Sequence, residues 1–132
     1  MTYGLFERIH GHLGILGLAL LLHPVLTLPA SRTWTRRTAW FAALALVVPF
    51  GLGWWLYPEY RADEKPHLPV LLRDAFEVKE HLAALAVGLV IPGAIAARGG
   101  EAARRIARHL LGAAWLCALA AGLLGVWIAG RP

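Results

Sequence analysis

One cysteine, one methionine and eight acidic residues stand against thirteen lysines and arginines in a chain of 132 residues. The lone Cys117 excludes an internal disulfide framework, a zinc ribbon and the Cys-x-x-Cys-His attachment of c-type haem. Carboxylates are missing from the apolar stretches, which argues against a proton-coupled transporter, whose relay normally uses intramembrane acids. No serine stands with a histidine and an acid in the pattern of a hydrolytic triad. Gly11, Gly14 and Gly17 recur every third residue, but no strand precedes them, so they do not make a dinucleotide loop. The period-two alternation of transmembrane β-strands is absent as well.

What the chain has in abundance is apolar length. Its hydrophobic content is 58% and its mean hydropathy +0.58, too apolar for an ordinary soluble domain of this size. A membrane-spanning helix needs roughly 20 mostly apolar residues. Windows at about 11–28, 39–57, 81–97 and 106–129 meet that need or nearly so. The expectation is an all-α fold in one domain, an integral membrane four-helix bundle threaded up-down-up-down. The first window follows Arg8 and precedes Leu28-Pro29-Ala30-Ser31, so it has some look of a signal peptide. It is long for one and broken by histidines and glycines, and is read as a retained helix.

Call the side holding both termini X and the opposite side Y. Side Y carries Arg32, Arg36 and Arg37 in its first loop, and Arg98, Arg104, Arg105 and Arg108 in its second, against Glu101. Side X carries Arg8, Arg61, Lys65, Arg73, Lys79 and Arg131, offset by Glu7, Glu59, Asp63, Glu64, Asp74, Glu77 and Glu80. The Y charges sit in short loops close to helix ends, where the positive-inside bias acts most strongly. Side Y is therefore expected in the cytoplasm, with both termini outside, in the cell's inner (plasma) membrane. Trp54, Trp55, Tyr57, Tyr60 and Trp127 fall near X, and Trp34, Trp40 and Phe41 near Y, as interfacial belts do. Basic residues split between two faces give little support to nucleic-acid binding. They suit a lipid bilayer with anionic headgroups.

The 58–80 connection is the one stretch with room for chemistry outside the membrane. Pro69 suits a helix start, and the charges that follow are expected on an interfacial helix or on an extension of helix three, facing solvent. A functional reading of it is a docking surface for a redox partner or a quinone head group, with His67 as a polar contact.

The histidines carry the sharpest signal. His12 and His23 lie in the first window, His81 at the start of the third and His109 in the fourth. At about 100° and 1.5 Å per residue, His12 and His23 share one helix face about 16 Å apart. In up-and-down threading His12 matches the depth of His81 near X, and His23 that of His109 near Y. A neutral imidazole in hydrocarbon costs free energy unless a partner satisfies it. Two opposed pairs predict two haem b groups, each held non-covalently between two imidazoles. His10 lies about 200° round the helix from His12. Either is a candidate X-side ligand; helix phase favours His12, leaving His10 to bond a propionate, a head group or water.

On these residues the chain resembles the small membrane cytochromes b, four-helix bundles that hold two b haems between histidines of facing helices. The resemblance covers roughly 11–129 and rests on His12, His23, His81 and His109. Familiar dihaem members place two histidines on each of two helices; here only the first helix has two. The resemblance implies electron transfer across the bilayer, often to or from a quinone or a partner redox protein on the X side. It suits a redox-complex subunit better than a stand-alone enzyme. Two other readings stay beside it: a cofactor-free structural or assembly subunit of a membrane complex, and a metal permease using His10, His12 and His23.

Overall fold

Each apolar stretch winds into a helix, the form that lets a backbone satisfy its own N–H and C=O groups, as hydrocarbon would require. The computed structural model describes residues 3–28 and 33–130, apart from the side chains of Tyr3, Thr33, Trp34, Thr35 and Glu64. Arg32, Arg131 and the Trp34 ring, used above in the charge and belt readings, lie outside the described residues. The helices are α1 (Tyr3–Thr27), α2 (Thr33–Glu59), α3 (Val70–Ala96) and α4 (Glu101–Ala129). The shortest has 25 residues, about 38 Å at 1.5 Å per residue, against about 30 Å of hydrocarbon. All four are long and apolar enough to cross a membrane. Among the described residues there is no strand.

The helices outrun the apolar windows. Helix α3 starts at Val70, so the charged run from Arg73 to Glu80 forms its first turns. Pro69 sets that start: its backbone is extended, and its carbonyl accepts the N–H groups of Leu72 and Arg73. The wide 58–80 connection expected from hydropathy therefore shrinks. It becomes the last residues of α2, a π-turn at Tyr60–Glu64, a 3₁₀ turn at Lys65–His67 and two linking residues. An ion pair from Lys65 to Glu77 clasps it to α3. Apolar windows mark where lipid would lie; the helix ends follow local signals instead, as at Pro69 before α3 and Gly99-Gly100 before α4.

α1 packs most extensively on α2, and α3 on α4; α1 meets α4 and α2 meets α3 over smaller interfaces. The pairs α1/α3 and α2/α4 are thus the diagonals. The main core joins Leu21 and Leu28 of α1, Ala39, Ala42, Ala43 and Leu46 of α2, Val90 and Ala94 of α3 with Ala97 just after it, and Ala107, Leu111 and Ala114 of α4. Those are the C-terminal halves of α1 and α3 and the N-terminal halves of α2 and α4, as up-and-down threading requires. The core therefore fills the Y half. Its alanines let backbones approach closely, which is how helices gain contact where no hydrophobic effect drives them together.

Candidate functional site

The X half is built from different chemistry on the same helix rows. In α1 the buried row is Gly17, Leu21, Pro24 and Leu28. Two turns back from Gly17, on the same face, stands His10. The buried row of α3 runs through Ala86, Val90 and Gly93 to Ala97. Two turns back from Ala86 stands Lys79. An imidazole and an ammonium thus hold positions that leucine and alanine fill at the other end.

His10 donates its Nδ1–H to the Pro49 carbonyl of α2 at 2.8 Å. Gly53 makes room for the ring, since a Cβ there would stand 2.8 Å from the His10 Cε1. A carbonyl only accepts, so Nδ1 carries a proton, and in the neutral ring Nε2 is the nitrogen left with a lone pair. The charges that act on this ring are those of Lys79, Glu80 and Glu7.

Lys79 is 18% exposed. Its stem runs past Gly125 of α4, where a Cβ would stand 3.6 Å from the lysine Cε. Its ammonium lies 3.4 Å from a Glu80 carboxylate oxygen and 4.5 Å from the Phe76 ring centroid. Phe76 stacks on Tyr60 at 3.8 Å, with Tyr57 at 6.5 Å on nearly parallel planes. A carboxylate and an aromatic face together compensate a partly desolvated cation. This end of the bundle offers an imidazole, a cation and an acid within an aromatic wall.

The four expected ligands lie elsewhere. His12, His23, His81 and His109 are all exposed. Helix phase gives the reason: His12 is about 140° round α1 from Gly17, His81 about 140° round α3 from Ala86, and His109 about 200° round α4 from Ala107. His12 donates Nδ1–H to the Arg8 carbonyl at 2.7 Å, and His81 likewise to the Glu77 carbonyl at 2.7 Å. The His23 carbonyl accepts the Thr27 hydroxyl at 2.8 Å. The expected X pair sits on diagonal helices, and the expected Y pair on adjacent helices, with every ring directed outward. No three histidine, cysteine or acidic side chains converge among the described residues. A haem clasped inside one bundle by these pairs does not fit this arrangement. The row between His12 and His23 is also outward, with Leu16 52% exposed.

Two of the outward rings, His12 and His81, have their Nδ1 fixed by a bond to their own helix. With Nδ1–H given to a backbone carbonyl, His12 and His81 each turn Nε2 away from their own turn, and a neutral ring held so has the form in which histidine binds a metal. In the sequence Lys79 and Glu80 read only as solvent-facing charges of an interfacial helix or an extension of the third, although Lys79, Ala86 and Gly93 recur at seven-residue steps, as do His10, Gly17 and Pro24. Comparison of the chain with family models, curated proteins and solved structures gives no match.

Proposed function

We propose that this chain is a multi-pass membrane subunit that carries electrons across the bilayer with b-type haem held on its outer faces, at boundaries with neighbouring chains. One observation carries the reading: four imidazoles stand on outward faces, and those of His12 and His81 present Nε2 with Nδ1 already bonded. An imidazole facing lipid lacks a partner for that nitrogen. An iron shared with a histidine of an adjacent chain supplies one. The haem would contribute one-electron chemistry; this chain's residues contribute ligands, their tautomer and their depth.

Side Y, with Arg36, Arg37, Arg98, Arg104, Arg105 and Arg108, is assigned to the cytoplasm of a plasma membrane, and both termini to the outside. A quinone head group or a redox partner would then meet the X end, where His10, Lys79 and Glu80 lie. A second reading shares the same observation: the outward imidazoles bond to partner helices, and the chain is a cofactor-free assembly subunit.

The test is a reduced-minus-oxidised absorption spectrum with haem quantified per chain, taken together with oligomeric state in detergent. The expected result is a low-spin bis-imidazole b spectrum in an oligomer, lost when the oligomer is dissociated. A colourless oligomer with full helical content would leave the assembly reading. Haem retained by a monomer would overturn the placement between chains.

A further inference from the structure

At the Y end, a surface recess of about 690 Å³ is lined by Arg36, Arg37, Trp40 and Phe41 of α2 and by Arg98, just beyond α3. Three guanidiniums and no acid make up its charged lining. The Arg36 Nε is shielded from solvent and has no hydrogen-bond partner among the described residues. The Arg98 guanidinium lies over the Trp40 ring, its Cζ 4.9 Å from the centroid, a contact that engages the cation without using its N–H groups as hydrogen-bond donors. Arg36, Arg37 and Arg98 form no ion pair or side-chain hydrogen bond among the described residues.

The contrast with the other basic cluster at this end is instructive. A neighbouring recess of about 340 Å³ is lined by Leu28, Glu101, Arg104, Arg105 and Arg108. There Arg105 pairs with Glu101 at 3.5 Å, and Arg104 donates to the Gly99 carbonyl at 3.0 Å. Two of that cluster's three arginines have an ion-pair or hydrogen-bond partner on their own chain, and among the described residues none of the first cluster's has.

We infer that the Arg36/Arg37/Arg98 recess binds the phosphodiester head group of an anionic phospholipid, with the first part of its acyl chains along Trp40 and Phe41. Guanidinium forks match phosphate oxygens in pairs. Basic pockets between transmembrane helices on the cytoplasmic side are where such head groups are held. Phe41, 64% exposed, is one residue beyond Trp40 toward the apolar core. The recess thus runs from cations to bare apolar surface, as a lipid does and a free anion does not. The inference rests on the helices crossing a bilayer and is independent of any haem.

The experiment uses the purified full chain, delipidated in neutral detergent and titrated with phosphatidylglycerol, phosphatidylcholine or inorganic phosphate. Native mass spectrometry counts the bound lipid, and circular dichroism checks helical content. Phosphatidylglycerol is expected to bind at least tenfold more tightly than phosphatidylcholine. Arg36→Gln combined with Arg98→Gln should abolish that preference. Arg104→Gln combined with Arg105→Gln, an equal loss of charge at the same end, should retain it. Should the first variant fail to fold, the exposed single variant Arg37→Gln must still weaken phosphatidylglycerol alone. Equal losses in the two double variants would reduce the effect to diffuse surface charge and overturn the site. So would equal binding of both lipids by the unaltered chain, or inorganic phosphate competing as well as the lipid.

Discussion

Gly17 of α1 lies so close to Ala45 of α2 that a Cβ added at position 17 would stand 2.5 Å from the Ala45 carbonyl oxygen. Pro49, four residues on, has no N–H to give that carbonyl, so the oxygen is free to face the neighbouring helix. The two helices therefore meet backbone to backbone where proline has opened one ladder and glycine has cleared the other. One turn of α2 further toward X, the Pro49 carbonyl itself takes the His10 N–H. The α1/α2 register is thus held at two successive levels.

Gly17→Ala should destabilise the folded chain by about 1–3 kcal/mol, because the obstructing atom is backbone and cannot swing aside. Gly14→Ala, with nothing within 4 Å of the added Cβ, should be neutral or slightly stabilising through helix propensity. Reversible unfolding in mixed detergent micelles, followed by circular dichroism, measures both. Equal effects at the two positions would refute the contact.

Gly53→Ala should act differently, since its added Cβ would meet a side chain, the His10 ring. The imidazole can rotate away at the expense of its bond to Pro49, a loss of about 1 kcal/mol for a hydrogen bond of this kind. His10→Ala should lose a similar amount plus its packing, and the pair of substitutions should be markedly less than additive. Additive losses would show that the two residues do not touch.

Replacing the outward histidines should leave stability alone. His12→Ala and His81→Ala are expected within about 0.5 kcal/mol of the unaltered chain, the usual range for exposed positions. The same substitutions should remove b haem or dissociate the oligomer. Haem content and size-exclusion mass, read beside the unfolding midpoint, separate those outcomes. A large stability loss in the dissociated monomer would place these rings inside the bundle.

Lys79→Met should keep the unfolding midpoint close to that of the unaltered chain, because methionine retains an apolar stem along Gly125 and removes a partly buried charge. Lys79→Ala should lower it, having lost the stem contact. The same midpoint for both variants would mean that the aliphatic stem carries no packing.

Topology is open to a direct check. On a Cys117→Ser background, a cysteine at His67 should react with an impermeant maleimide on intact cells. One at Gly100 should react only after permeabilisation. The reverse pattern would invert the orientation while leaving every helix contact intact.

The number of helices, their approximate places and the uneven charge of the two ends could be read from the residues, because twenty apolar positions in a row admit one secondary structure in hydrocarbon. Helix ends were less legible: Pro69 marks a start, but whether the charges after it make a separate interfacial helix or an extension of the third stayed open until the structure ran α3 unbroken from Val70 through Glu80. Which face of each helix turns inward was decided by tertiary packing alone. In water, apolar periodicity identifies the buried row; in lipid the outer row is apolar too, so Leu16 outside and Leu21 inside look alike in the sequence. The choice between His10 and His12 is the clearest case. Helix phase with His23 favours His12 as the ligand, yet the close approaches at Gly17 and Gly53 turn His10 into the bundle and His12 out of it.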